Sequence, residues 1–104
     1  MTVYVLRELW KYPDVTTIDI ERLIAVSANI DTIEEKAWKI FYNFYDWYWE
    51  NEICEESDHD KRDKEEEIDA LGYELHRLKE YNEPVEYSHE WYPYCIKIDK
   101  MEVE

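Results

Sequence analysis

Between Ile33 and Trp49 the chain carries apolar side chains on two adjacent faces of one helix. Ile33, Ala37, Ile40, Phe41, Phe44 and Tyr48 recur at intervals of three and four, the spacing of a single helical face. Trp38, Tyr42, Tyr45 and Trp49 form an aromatic stripe beside it. A helix apolar around so much of its circumference has to be covered on more than one side. Thr32-Ile33-Glu34-Glu35 has the form of a capping box, so Thr32 is the expected N-cap, and the helix is expected to run to about Asn51. Glu35 and Lys39 add an i,i+4 pair in the favourable orientation.

The cover comes from the flanking segments. Val3-Tyr4-Val5-Leu6 is β-branched and aromatic and reads as a strand. Tyr12-Pro13-Asp14-Val15 supplies a turn, because proline presets its φ and aspartate bonds the local backbone. Thr16 to Ser27 resumes strand chemistry, with a bulge or edge expected near Arg22, where the apolar alternation breaks. A second helix is expected from Ser57 or Asp58 to Tyr81, with Ile68, Leu71, Leu75 and Leu78 as its buried stripe. Gly72 weakens that helix by about 1 kcal/mol, and Asn82-Glu83-Pro84 ends it. Trp91 to Val103 alternates Tyr92, Tyr94, Ile96 and Ile98 with Cys95, Lys97 and Asp99, a strand whose start is made irregular by Pro93.

These elements imply a single α+β domain over residues 1–104. A three-stranded antiparallel sheet with two packed helices is expected, in the order ββααβ, with the first strand at the centre of the sheet. A chain of this length has room for one core. Val3 and Val5 point one way and Tyr4 and Leu6 the other. Both faces of that strand are apolar, and its second face is expected to meet another subunit.

Charge is distributed very unevenly. The chain has 27 acidic and 12 basic side chains, a net charge of −15. Residues 46–69 hold 12 of the acids and only three bases: DWYWENEICEESDHDKRDKEEEID. As continuous helix, those 24 residues would span about 36 Å and show roughly one carboxylate per 3 Å. One strand of DNA shows one phosphate per about 3.4 Å. Such a chain is not built to bind nucleic acid directly, which needs clustered lysine and arginine, nor to dock on an anionic membrane. Acids near a helix N-terminus are favoured by its dipole, and charge runs are commonly solvated faces. Crowding of this density nevertheless destabilises the compact state by self-repulsion, which points to a compensating use.

Catalytic and metal signatures are missing from the sequence. Asp58-His59-Asp60 opens like a calcium loop, but Arg62 takes a ligand position, Asp63 replaces the required glycine and Asp69 replaces the closing glutamate. Glu56-Ser57-Asp58-His59 gives one Glu-x-x-His spacing, where di-metal bundles need two. Cys54 has no Cys-x-x-Cys partner, and it and Cys95 are expected to be reduced thiols. His76 is expected at the surface or at its boundary with the core, and His89 in a loop. No enzyme, cofactor or metal is therefore expected. The N-terminus lacks the apolar core of a signal peptide, and no stretch is long enough to span a membrane, so a cytoplasmic protein is expected.

Size, acidity, aromatic content and the block from Asp46 to Asp69 together resemble the small proteins that phages and mobile elements encode against host defence. Anti-CRISPR and anti-restriction proteins are the main examples, and several of them are DNA mimics. The resemblance implies an inhibitor that fills the basic nucleic-acid channel of a host protein such as an RNA-guided nuclease or restriction enzyme. It rests on no shared motif and carries over no residue roles. The residues themselves nominate Trp47 and Trp49 as aromatic contacts. They nominate Glu50, Glu52, Glu55, Glu56, Asp58 and Asp60 as partner-facing carboxylates, followed by Asp63, Glu65, Glu66, Glu67 and Asp69. The rival expectation is a homodimeric structural or regulatory phage protein whose acidity serves only solubility.

Overall fold

The computed structural model describes residues 1–11, 18–51, 58–89 and 93–103. In chain order the elements are β1 (Thr2–Lys11), β2 (Ile18–Ser27), α1 (Ile30–Asn51), α2 (Asp58–Tyr81), β3 (Val85–Ser88) and β4 (Tyr94–Glu102). The strands form one antiparallel sheet in the spatial order β2-β1-β4-β3. The class is α+β as expected, but a sheet of three strands in the order ββααβ is incorrect. Among the described residues there are four strands, in the order ββααββ. The additional strand is short. Val85 and Tyr87 turn into the core while Glu86 and Ser88 face solvent, and the segment pairs with β4 from Val85↔Ile98 to Ser88↔Cys95. The expected neighbours are kept, with β1 between β2 and the final strand and β3 added beyond it.

Alternation along the strands decides what meets the helices. Tyr4, Leu6, Glu8 and Trp10 of β1 lie on the helix side, with Tyr94, Ile96 and Ile98 of β4 beside them. α1 covers this face through Ile33, Ala37, Phe41, Phe44 and Tyr45, and α2 through Leu71, Leu75 and Leu78, all buried. The Phe44 and Tyr94 rings are parallel at 3.9 Å between centroids. The sheet's other face carries Val3, Val5, Arg7 and Leu9 of β1.

Local details correct several expectations. The N-cap of α1 is Asn29, whose Oδ1 accepts from the backbone N–H groups of Asp31 at 2.9 Å and Thr32 at 3.4 Å. Thr32 is therefore already inside the helix. The pair expected between Glu35 and Lys39 is not formed among the described residues. Glu34 reaches across to Lys79 of α2 at 3.3 Å instead. In β2 the register shifts where Leu6 faces Ala25 and Arg7 faces Leu23, so the extra residue is Ile24, a bulge near Arg22 as expected. Arg22 faces Glu8 across the strands. The first turn, Tyr12 to Val15, lies outside the described residues, as do Trp91 and Tyr92 of the expected final strand, which starts at Tyr94.

The second helix runs from Asp58 to Tyr81, as its periodicity predicts. It stops because Asn82 adopts a left-handed φ of 56° and donates its N–H to the Leu78 carbonyl at 3.0 Å. The helices run antiparallel. Asp31 and Glu34 meet Lys79, Trp38 meets Gly72, and Tyr45 meets Lys64. Among the described residues no helix is long and apolar enough to cross a membrane.

Candidate partner-binding surface

Antiparallel packing brings the end of α1 against the first half of α2, and the acidic block is divided between them. A cleft of about 430 Å³ opens there, lined by Tyr45, Asp46, Trp49 and Glu50 of α1 and by Lys64, Glu65 and Ile68 of α2. Tyr45 and Ile68 form its apolar floor. Asp46, Glu50 and Glu65 are exposed at its rim. Lys64 leans over the Tyr45 ring at 5.9 Å.

The helix dipole does not account for these acids. It favours carboxylates only in the first turn of a helix and opposes them in the last. Glu50 lies in the last turn of α1, which contains no base. Glu65, Glu66 and Asp69 lie beyond the first turn of α2, which begins at Asp58. Among the described residues, Asp46, Glu50, Glu65, Glu66 and Asp69 form no ion pair. Bases elsewhere in the molecule are engaged: Arg7 with Asp99 at 2.9 Å and Glu21 at 3.6 Å, Arg77 with Glu83, Lys97 with Glu86 at 3.7 Å, and Lys79 with Asp31 and Glu34.

The sequence-nominated residues do not all share one surface. Trp49, Glu50 and Glu65 come together at the cleft. Glu66 and Asp69 are exposed on the same stretch of α2. Trp47 is 40% exposed but faces the sheet side of α1, edge-on to Trp10 at 5.4 Å. Glu67 is 4% exposed and accepts a hydrogen bond from the Tyr87 hydroxyl at 2.5 Å, so it belongs to the interior rather than to a partner-facing surface. Asp58, Asp60 and Asp63 lie on the first turns of α2. Glu52, Glu55 and Glu56 lie outside the described residues, and so does Cys54.

Two polar groups that the sequence did not nominate are buried in the fold. Glu8 is 7% exposed and accepts a hydrogen bond from the Tyr94 hydroxyl at 2.6 Å. His89 is in a loop as expected, yet it is 6% exposed, with Nε2 at 2.8 Å from the Tyr45 hydroxyl. Burial, reinforced by the hydrogen bond to a carboxylate, holds the Tyr87 and Tyr94 hydroxyls far above the usual phenol range. The signal for Glu8 was available in the sequence, since it is the acid in the row Tyr4, Leu6, Glu8, Trp10. His76 is exposed as expected, and Cys95 is a buried free thiol whose Sγ lies 3.2 Å from the Ser88 hydroxyl. Among the described residues no three of His, Cys, Asp or Glu are grouped to hold a metal ion.

Comparison with protein families, with curated proteins and with solved structures finds no match to this chain.

Proposed function

We propose that the protein is a non-enzymatic acidic inhibitor that occupies the positively charged nucleic-acid channel of a basic partner. A host defence nuclease, either RNA-guided or a restriction enzyme, fits that description, in the manner of phage-encoded DNA mimics. One observation carries this reading. Carboxylates from two helices, which form no ion pair among the described residues, converge on one cleft, at positions the helix dipoles do not favour. The first half of α2, residues 58–69, spans about 18 Å. Besides the inward Glu67, it carries six carboxylates, about one per 3 Å, close to the spacing of phosphates along a nucleic-acid strand. The exposed acids would steer encounter with a basic channel, and Trp49 would supply the apolar anchor within it.

The test is competition. Immobilised protein is incubated with bacterial lysate at low salt and eluted with duplex DNA. A mimic releases nucleic-acid-binding proteins to duplex DNA, because both ligands claim one channel. Retained proteins that neither DNA nor 0.5 M salt (about three times physiological ionic strength) displaces would contradict the proposal.

A second reading has its own observation. On the sheet face away from the helices, Leu23, Val26 and Met101 are 64%, 55% and 51% exposed beside Val3 and Val5. A homodimer joined through this face would have a structural or regulatory role, with acidity serving solubility. Sedimentation decides it. Val26→Asp should convert a dimer to monomer, and a monomeric parent rules the reading out.

A further inference from the structure

A second cleft, of about 200 Å³, lies on the other side of α1, between that helix and β1 and β2. Its walls are Trp10, Phe44 and Trp47, with Asn43 and Arg22 also lining it and Glu8 set among them. Glu8 is a carboxylate inside an aromatic enclosure, its side chain 9% exposed. Its Oε2 is bound by the Tyr94 hydroxyl at 2.6 Å. Its Oε1 lies 3.8 Å from Nη1 of Arg22, beyond hydrogen-bond reach, and the Arg22 side chain is 66% exposed. So among the described residues the Glu8 carboxylate meets, at its open side, a loosely held, solvent-facing guanidinium.

We propose that this cleft is a receptor for one guanidinium group, an arginine side chain of the basic partner, and that Arg22 is its tethered stand-in. The inference rests on the reading of the protein as the binder of a basic partner, and it names the contact that charge density alone does not supply. A carboxylate set among aromatic rings is costly unless it is paired and hydrogen-bonded, and among the described residues Oε1 of Glu8 has no donor at bonding distance. A guanidinium is the cation whose chemistry matches the walls. It is planar and weakly hydrated, it stacks on indole faces, and it delivers N–H donors in a fork that a carboxylate accepts. An ammonium would match the charge but would offer the carboxylate no planar fork of donors. The exposed position of Arg22 lets it swing away without unfolding anything. The site also explains why Trp47 lies apart from the acidic cleft.

The probe is N-acetyl-arginine amide, titrated into the protein alone and followed by NMR through the indole N–H resonances of Trp10 and Trp47. Saturable movement of both is expected in the parent. Glu8→Gln, which keeps an acceptor for Tyr94, should bind roughly tenfold more weakly through loss of a charge-assisted hydrogen bond. Arg22→Gln, which removes the stand-in at an exposed position, should bind roughly threefold more tightly. The uncharged N-acetyl-citrulline amide should leave both resonances unmoved. Equal affinity in Glu8→Gln and parent, or movement of the Trp49 indole alone, would overturn the proposal. If Glu8→Gln does not fold, Arg22→Gln decides, and an affinity unchanged or weakened there overturns it too. Because no partner protein is used, failure here leaves the DNA-elution experiment standing, and failure of that experiment leaves this one standing.

Discussion

The two ends of the helix pair use charge in opposite ways. Where α1 begins and α2 finishes, Lys79 sits between Asp31 and Glu34 at 3.3 Å from each, and Arg77 closes on Glu83 beyond the helix. Glu34 and Asp31 raise the Lys79 pKa, and Glu83 raises that of Arg77. Where α1 finishes and α2 begins, Asp46 and Glu50 share a cleft rim with Glu65, and none of them forms an ion pair among the described residues. Both ends rest on the same sheet and the same aromatic core. Packing therefore does not dictate the charge pattern. At one end charge helps join the helices; at the other it opposes their joining, and folding has to offset that repulsion.

If the shared core holds both ends, damage to it should have the largest effect. Leu75 is 3% exposed in the helix seam. Leu75→Asp places an unpaired charge there and should cost more than about 4 kcal/mol, leaving the chain unfolded by circular dichroism at 25 °C. A folded variant would show that the seam is not the support of either end.

Alkaline titration comes next. Tyr87 and Tyr94 keep their protons in the folded state far above pH 10, whereas an unfolded tyrosine ionises near 10. Above that pH the unfolded chain binds fewer protons than the folded one, so stability falls as pH rises. The loss is about 1.4 kcal/mol per pH unit for each of the two. Absorbance at 295 nm (the tyrosinate band) should show that two tyrosines ionise only together with unfolding. Full ionisation of every tyrosine while the circular dichroism signal remains native would contradict the burial of these hydroxyls.

Gly72 lies between the two ends. A Cβ added there would sit 3.8 Å from the Trp38 ring, ordinary contact distance, on a helical backbone. Gly72→Ala should stabilise the protein by about 0.5–1 kcal/mol in urea denaturation. The smallest effects should differ in sign. Lys79→Met should lower the melting temperature slightly, an effect that 1 M salt erases (a Debye length of about 3 Å). Glu66→Lys should raise it slightly at low salt, by placing a cation beside Asp69 on the helix surface. Equal responses to these two changes would remove the distinction between the ends.

Much of this architecture was legible in the chain because long amphipathic periods overdetermine a helix. Both helices and the Leu71, Leu75 and Leu78 stripe follow from spacing alone. β3 was not legible for a physical reason. Four residues give only two turns of alternation, and Val85 and Tyr87 become strand residues because β4 offers them an edge. The true N-cap was concealed because Thr32 and Glu35 imitate a capping box inside the first turn. Of the candidate site, the density of acids was visible, but its direction was not. Spacing does not reveal that Glu67 turns inward to Tyr87, or that Trp47 and Trp49 serve two different clefts.

If the acids at the cleft between α1 and α2 belong to a partner rather than to the fold, they can be replaced without harm to the fold. The most direct measurement is one variant with two readouts. Glu50, Glu65, Glu66 and Asp69 are all changed to Lys, and both melting temperature and retention of DNA-displaceable proteins from lysate are recorded at low salt. That assignment requires a fold at least as stable as the parent, since self-repulsion falls, together with loss of retention, because attraction across the interface becomes repulsion. A variant that folds and still retains the same proteins as tightly as the parent would contradict it.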